Sequence, residues 1–515
     1  MKNRWKILSG VLATVLLFSS CDHFFDVDLT DAVEEDEIYT HYTDLNSVAY
    51  SFYAALSPEA HKFLLWGSAR GDMVTNGSEG DAYVTQFVNN DVTADNPYTN
   101  YAFLYKAIAR CNQQLANLYK VQPDEFASRD YLDQFYGEAY FVRAFCYFWL
   151  VRTFKNFPLV EEDVSNTLTY VSGEGDTLQA RTLSLSNEDI RSIALQPAEE
   201  QDVWSLIQSD LNRALELVNA VPQWTADGYG SDITNLNQED LALLSKIRPT
   251  PTSIGLLAAE VAMWLGQYEK AAGYASAGTQ LSLGSEDAWH TQFTGSITNG
   301  IEYTQFSLAY LYNQAYETNR LQEFTSPVEE DGGRYLLMPV MSVYNQVYDE
   351  PEDCRRISAV RIDRQPVIWK YIGADGEGEL MREPYESDAS FPFIKTADAY
   401  LWEGIACCRI GDYATAFKNL NAIRDARGLG RYDESEYNGM KDQLEELLFK
   451  ERTRENAYEG RRWYDLMLME RMGYTGILGE EVSKKYTDPS QAAEVKTKLA
   501  NPDAWYLPIE PDNWN

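Results

Sequence analysis

Two short stretches, Gly266-Gln-Tyr268-Glu-Lys-Ala271 and Gly411-Asp-Tyr413-Ala-Thr-Ala416, repeat one pattern, G-x-Y-x-x-A, between helical runs. Glycine there can take the left-handed backbone that ends a helix, and Tyr and Ala let the next helix return closely against the first. A chain that does this twice is committed to antiparallel helical hairpins. Tyr400 and Gly404 supply the large and small positions expected in the helix before the second turn. The flanks agree: apolar residues recur three and four apart over 43–57, 101–120, 131–154, 203–218 and 251–281, then over 394–428 and 441–470. Between these zones, 283–391 is rich in Gly, Pro and Asp and predicts irregular chain with a few short strands.

The hairpin is that of a tetratricopeptide repeat, whose period is about 34 residues. The two copies here start 145 residues apart, so this is no tandem array. The expected fold is mostly α, an interrupted tetratricopeptide-like helical scaffold with irregular, loop-rich insertions. No Pro/Gly/Ser linker divides the chain, which argues for one domain over 41–515. Its helical layer would lie mainly in 101–282 and 394–470, with the loop-rich insertion at 283–391.

Residues 1–20 have the form of a signal peptide. Lys2, Arg4 and Lys6 precede an apolar run from Ile7 to Phe18, too short to span a bilayer but suited to a secretory segment. The run ends in LLFSSC, which resembles a lipoprotein signal with Cys21 as the lipidated residue, although Phe18 stands where Leu is usual. Ordinary cleavage near Ser20 is the alternative. Acidic residues 21–40 would be the tether. The other cysteines, Cys111, Cys146, Cys354, Cys407 and Cys408, are odd in number and sit mostly in helical runs, so they read as buried thiols. No metal-ligand spacing is present, and neither a metal nor a cofactor is expected. DVDLTD (26–31) and DGEGE (375–379) lack calcium-loop spacing and read as acidic surface.

The net charge is −36, or −39 once Lys2, Arg4 and Lys6 are removed. Such a surface repels nucleic acid and anionic lipid. The 35 Tyr, 21 Phe and 12 Trp exceed what a core needs and suit a surface that stacks on sugars or peptides.

Several stretches resemble the SusD/RagB family of outer-membrane nutrient-uptake lipoproteins. Gly137-Glu-Ala-Tyr-Phe-Val-Arg143-Ala-Phe-Cys-Tyr147-Phe148-Trp-Leu150-Val-Arg-Thr-Phe154, followed by Pro158-Leu159, is similar to that family's arginine-alanine helix, with Lys155 in place of the usual Gly. Glu451-Arg452, Glu455, Ala457, Glu459-Gly460, Arg462-Trp463 and Asp465-Leu466 fall on a second family pattern, where Asn456 replaces an apolar residue. The ending WYLPIEPDNWN is like the family's tail, with Glu510 at its second proline.

The charged stretch 450–467 contains no His or Cys to act as acid, base or nucleophile beside its carboxylates. On a helix Glu451, Arg454/Glu455 and Tyr458 lie three and four apart, as do Arg461/Arg462 with Asp465, and the resemblance implies a structural role for Arg143, Glu451, Arg452, Glu455, Glu459, Gly460, Arg462, Trp463 and Asp465. The resemblance implies a non-catalytic surface lipoprotein that captures oligosaccharides and passes them to a SusC-like TonB-dependent transporter in the outer membrane. Peptide capture, a secreted glycoside hydrolase and a pure interaction scaffold are the alternatives; GxSxG, HExxH and phosphate-loop motifs are all missing. Expected ligand contacts are Trp66, Arg70, Asp72, Asn76, Tyr83 and Tyr98, with Trp289, Tyr303 and Tyr312 from the insertion.

Overall fold

The computed structural model describes Tyr39, Tyr42 and residues 44–509, except 79, 124–127, 156, 162–166, 173–178, 185–197, 219–247, 287–288, 290–302, 309, 311–318, 328–332, 363–364 and 373–388. Its main helices are α1 (Asp44–Leu56), α2 (Ala82–Asn89), α3 (Ala102–Asn117), α4 (Arg129–Thr153), α5 (Glu200–Leu217), α6 (Pro251–Trp264) and α7 (Tyr268–Ser276). They continue with α8 (Thr396–Ile410), α9 (Tyr413–Ala426), α10 (Leu444–Glu455), α11 (Arg462–Arg471), α12 (Ile477–Ser483) and α13 (Pro489–Leu499).

Both glycine turns form. Gly266 and Gly411 take φ of 66° and 85°, and each reverses the chain between two antiparallel helices. Local chemistry starts the helices. Thr250 and Ser253 make a reciprocal capping box ahead of Pro251, and Asp412 caps α9 through the Thr415 N–H. From α1 the layer runs through α3, α4, α5, α6, α7, α8 and α9 to α10, each packed on the one before it in that order. α7 lies directly against α8, so the two hairpins are neighbours in space. The insertion therefore leaves the layer and returns to the same place. The strands are short: β1 (Val74–Asn76) pairs with β5 (Leu337–Pro339), β2 (Thr167–Ser172) with β3 (Gln179–Ser184), β4 (Thr304–Leu308) with β8 (Phe391–Lys395), and β6 (Val360–Ile362) with β7 (Pro366–Ile368), all antiparallel.

Charged residues fasten α4 to its neighbours. Glu138 is fully buried and accepts from Arg248 and from the Tyr53 hydroxyl. Arg143 forks onto Asp210 of α5 with two 2.8 Å bonds, and Arg152 donates to Glu260 of α6 at 2.8 Å. One apolar core, reaching from Tyr39 to Leu507, runs under these contacts. Cys111, Cys146, Cys354, Cys407 and Cys408 are free and buried, and burial pushes each thiol up. Among the described residues no helix is long and apolar enough to cross a membrane, and no His/Cys/Asp/Glu cluster could hold a metal ion.

Residues 441–470 do not form the single helix their periodicity suggests. They break into α10 and α11 at Tyr458 (φ 65°) and Gly460 (φ 69°). The break follows from close packing: a Cβ on Gly460 would meet the Phe63 carbonyl oxygen at 2.6 Å, and one on Gly67 would meet the Gly460 oxygen at 1.8 Å. The charge pairs change accordingly. Arg454 still meets Glu451 three residues back at 2.8 Å. Asp465, however, accepts from Arg452 (2.7 Å) rather than from Arg461 or Arg462, which reach Glu260 (2.9 Å) and Asp72 (2.7 Å).

The C-terminal helices are clamped by Lys485, whose buried Nζ donates to the carbonyls of Ala69 (2.9 Å) and Arg70 (3.3 Å). Burial lowers this ammonium to about 7. The unfolded chain keeps its proton to about 10.4, so between those values the unfolded state binds more protons and stability rises with pH. Lys485→Met removes this contribution. The stability difference, wild type minus variant, is expected to grow by about 1 kcal/mol per pH unit from about pH 7 to 10 in denaturant titrations. A difference independent of pH would contradict the lowering of Lys485 by burial.

Candidate ligand-binding face

The residues expected to meet a ligand separate into an interior group and a surface group. Four are interior, which corrects the expectation of contact. Trp66 is fully buried against Phe63, Phe103 and Phe154, with ring centroids 5.2–5.7 Å away. Arg70 lays its guanidinium on the Trp463 ring at 3.8 Å, and burial lowers it to about 9. Burial pushes the Asp72 carboxyl up, but the Arg462 fork (2.9 and 2.7 Å) outweighs it and holds the group below its ordinary value. Trp289 packs with Cys354 and Trp369, donates to Ser358, and is ringed by Lys370, Lys395 and Arg427 at 4.6–5.3 Å. A bulky ring, a paired carboxylate or, for Arg70, a guanidinium stacked on a ring fills the core where loop-like composition had suggested surface. Tyr303 is half-buried and lies over Gly284, and Tyr312 falls outside the described residues, as does Cys21.

Asn76, Tyr83 and Tyr98 do come together. Asp81 caps α2, accepting from the Tyr83 and Val84 N–H groups at 3.0 Å, which fixes Tyr83 in the first turn. Asn76, at the end of β1, accepts from Thr85 of the same helix at 3.2 Å. The buried Asn96 amide donates to the Tyr83 carbonyl (2.9 Å) and to Gln86 (2.7 Å), while its oxygen accepts from the Tyr98 N–H (3.0 Å). Trp66 serves from behind, donating its indole N–H to the Tyr98 carbonyl at 2.8 Å. Tyr83 is 42% exposed and Tyr98 is half-buried.

Charged residues from more than 200 positions later complete the face. Arg320 forks onto Glu323 at 2.7 and 3.1 Å, and Arg334 bridges Glu323 (3.3 Å) and Asp81 (3.5 Å). Both arginine side chains are 45% exposed. Behind them His61 stacks on Phe324 at 5.4 Å and meets the Tyr98 ring edge at 5.7 Å. Burial first, then Arg320 and Lys62, lower His61 to about 3, so it stays neutral and forms no ion pair with Glu59. Gly77 lets β1 run close to the later segment: a Cβ there would sit 1.7 Å from the Tyr335 oxygen. The result is a face on which Arg320, Asp81 and Glu323 lie within electrostatic reach of half-buried Tyr98, beside the helix that carries exposed Tyr83. Hydroxyl-rich ligands use such a combination, stacking C–H faces on the rings and bonding their hydroxyls to the charged groups. Local sequence gave no sign of Arg320, Glu323 or Arg334, because folding alone brings them to α2.

Two family models match the chain: one described as starch-binding associating with outer membrane, over residues 28–226, and the SusD family over 338–515. SusD-like protein P38 of Formosa agariphila is 23% identical over 504 residues, covering 89% of this chain and 90% of the relative. The crystal structure of a SusD superfamily protein from Bacteroides vulgatus superposes with a TM-score of 0.70 at 19% identity, covering 92% of this chain and 97% of that one. A laminarin binding SusD-like protein superposes with a TM-score of 0.63 at 18% identity, covering 88% and 96%.

The division between interior and surface aromatics is directly measurable. Trp66→Ala is expected to lower unfolding stability by about 3–5 kcal/mol, and Tyr83→Ala by no more than about 0.5 kcal/mol, in denaturant titrations. Equal losses for the two would contradict the assignment of Tyr83 to the free surface.

Proposed function

We propose, from the premise that the chain belongs to the SusD family, that it captures oligosaccharides at the cell surface and delivers them to a SusC-like TonB-dependent transporter. The observation that supports glycan capture best is the grouping of exposed Tyr83 and half-buried Tyr98, tied together by Asn96, with Asn76, Arg320, Glu323 and Arg334 brought to the same region. The laminarin-binding relative of the same fold is in keeping with a sugar ligand. Attachment through Cys21 to outer-membrane lipid, after loss of residues 1–20, is the anchoring the N-terminal sequence favours.

The protein is proposed to be non-catalytic. The carboxylates of the 451–465 stretch each face a cation at 2.6–2.7 Å: Glu451 and Arg355, Glu455 and Arg427, Glu459 and Lys370, Asp465 and Arg452. They are buried with those partners, so none is free to transfer a proton to a glycosidic oxygen.

A polysaccharide and peptide array, with spots analysed afterwards for cleavage, tests this reading. The expected result is saturable binding to one glycan class with the polymer intact. Tyr83→Ala should weaken that binding about 5–10-fold, the value of one aromatic stacking contact. Binding to peptides alone would move the protein to peptide capture. Shortened glycans would make it a hydrolase.

A further inference from the structure

The charge arrangement of the tyrosine face narrows the class of ligand, an inference that rests on the glycan reading above. Arg320, beside Tyr98, and Arg334, which reaches Asp81 at the start of α2, are both covered by carboxylates. Glu323 takes the Arg320 fork and one nitrogen of Arg334, while Asp81 takes another nitrogen of Arg334. Lys62, in the same wall, is matched by Glu59 at 3.2 Å.

The Asp81 carboxylate is held in place, and the backbone that carries Glu323 is anchored beside Arg334. One oxygen of Asp81 is held by two N–H groups at the start of α2, so its other oxygen is fixed toward Arg334. Glu323 lies on the helical turn Leu321–Thr325, and its backbone carbonyl accepts from the Arg334 N–H at 2.9 Å. A ligand carboxylate or sulfate approaching either arginine finds its charge already matched by Glu323 and Asp81 and must compete with them, on a chain whose net charge is −36. A hydroxyl meets no such barrier, because it donates to carboxylate oxygens and accepts from guanidinium N–H groups without displacing either.

We propose that this face selects uncharged glycans and rejects uronate- and sulfate-bearing ones, with Asp81 and Glu323 as the residues that set the exclusion. The test uses the full chain on an array in which each neutral polysaccharide is spotted beside its C6-carboxylated form and the methyl ester of that form. The expected result is binding to a neutral polymer, at least tenfold weaker binding to its carboxylated partner, and recovery on the ester, which removes the charge and keeps the added atoms. The Asp81→Asn/Glu323→Gln variant keeps a helix-capping oxygen. It should gain at least tenfold on the carboxylated polymer, and the gain should fade as salt is raised. Equal or tighter binding of carboxylated or sulfated spots by the wild type would overturn the inference while leaving glycan capture intact. Binding to no polysaccharide at all would remove both.

Discussion

A buried ion-pair network centred on residues 451–465 is the constraint on which the rest of the structure depends. Arg452 lies over the Trp402 ring at 3.8 Å and donates to Asp465 (2.7 Å) and to Asp398 of α8 (2.6 Å). Glu451 and Glu455 accept from Arg355 of the insertion, and Glu455 also from Arg427 just beyond α9. Glu459 holds Lys370 at 2.6 Å and Lys395 at 2.7 Å. Burial pushes the Glu455 carboxyl up, and Arg427, Arg355 and Lys395 together outweigh it. Such pairs add little to stability compared with well-packed apolar residues, yet removing one partner strands a charge at a cost of about 3–5 kcal/mol. Their effect here is geometric: they specify how the insertion docks on the helical layer.

The network reaches the tyrosine face through a short chain of contacts. Gly460 abuts Phe63 and Gly67, and its N–H donates to Ser68 at 2.9 Å. Arg462 takes Asp72, and Trp463 supports Arg70. The segment 63–72 is therefore held on its inner side. Trp66, within it, holds the Tyr98 carbonyl on the outer side. Residues buried at the centre thus position a surface that none of them touches.

What the sequence made legible divides along the same line. Helices with sustained periodicity and the two glycine turns were readable because their signals are local. The dense Glu and Arg pairing of the 451–465 stretch was legible as well, though not the partners it takes from other elements. The break at Tyr458–Gly460 was not readable, since its cause is the approach of Phe63 and Gly67 from almost 400 positions away. In the stretch 64–87 loop-like composition concealed the difference between Trp66, which is core, and Tyr83, which is surface. Asn76, Tyr83 and Tyr98 were within reach because short-range turns and a helix cap gather them. Arg320, Glu323 and Arg334 were not, because only tertiary folding brings them to the same face.

The central claim is that the charged stretch fixes architecture and takes no part in binding or chemistry. It is tested most directly by Arg452→Met, which roughly keeps side-chain volume, strands Asp465 and leaves Asp398 with Arg461 at 3.8 Å as its nearest cation. Unfolding free energy and glycan affinity would be measured on the same preparation. The account predicts a stability loss of about 3–5 kcal/mol with the dissociation constant of the folded protein unchanged. Unchanged stability with lost binding would contradict it and place Arg452 in the site itself.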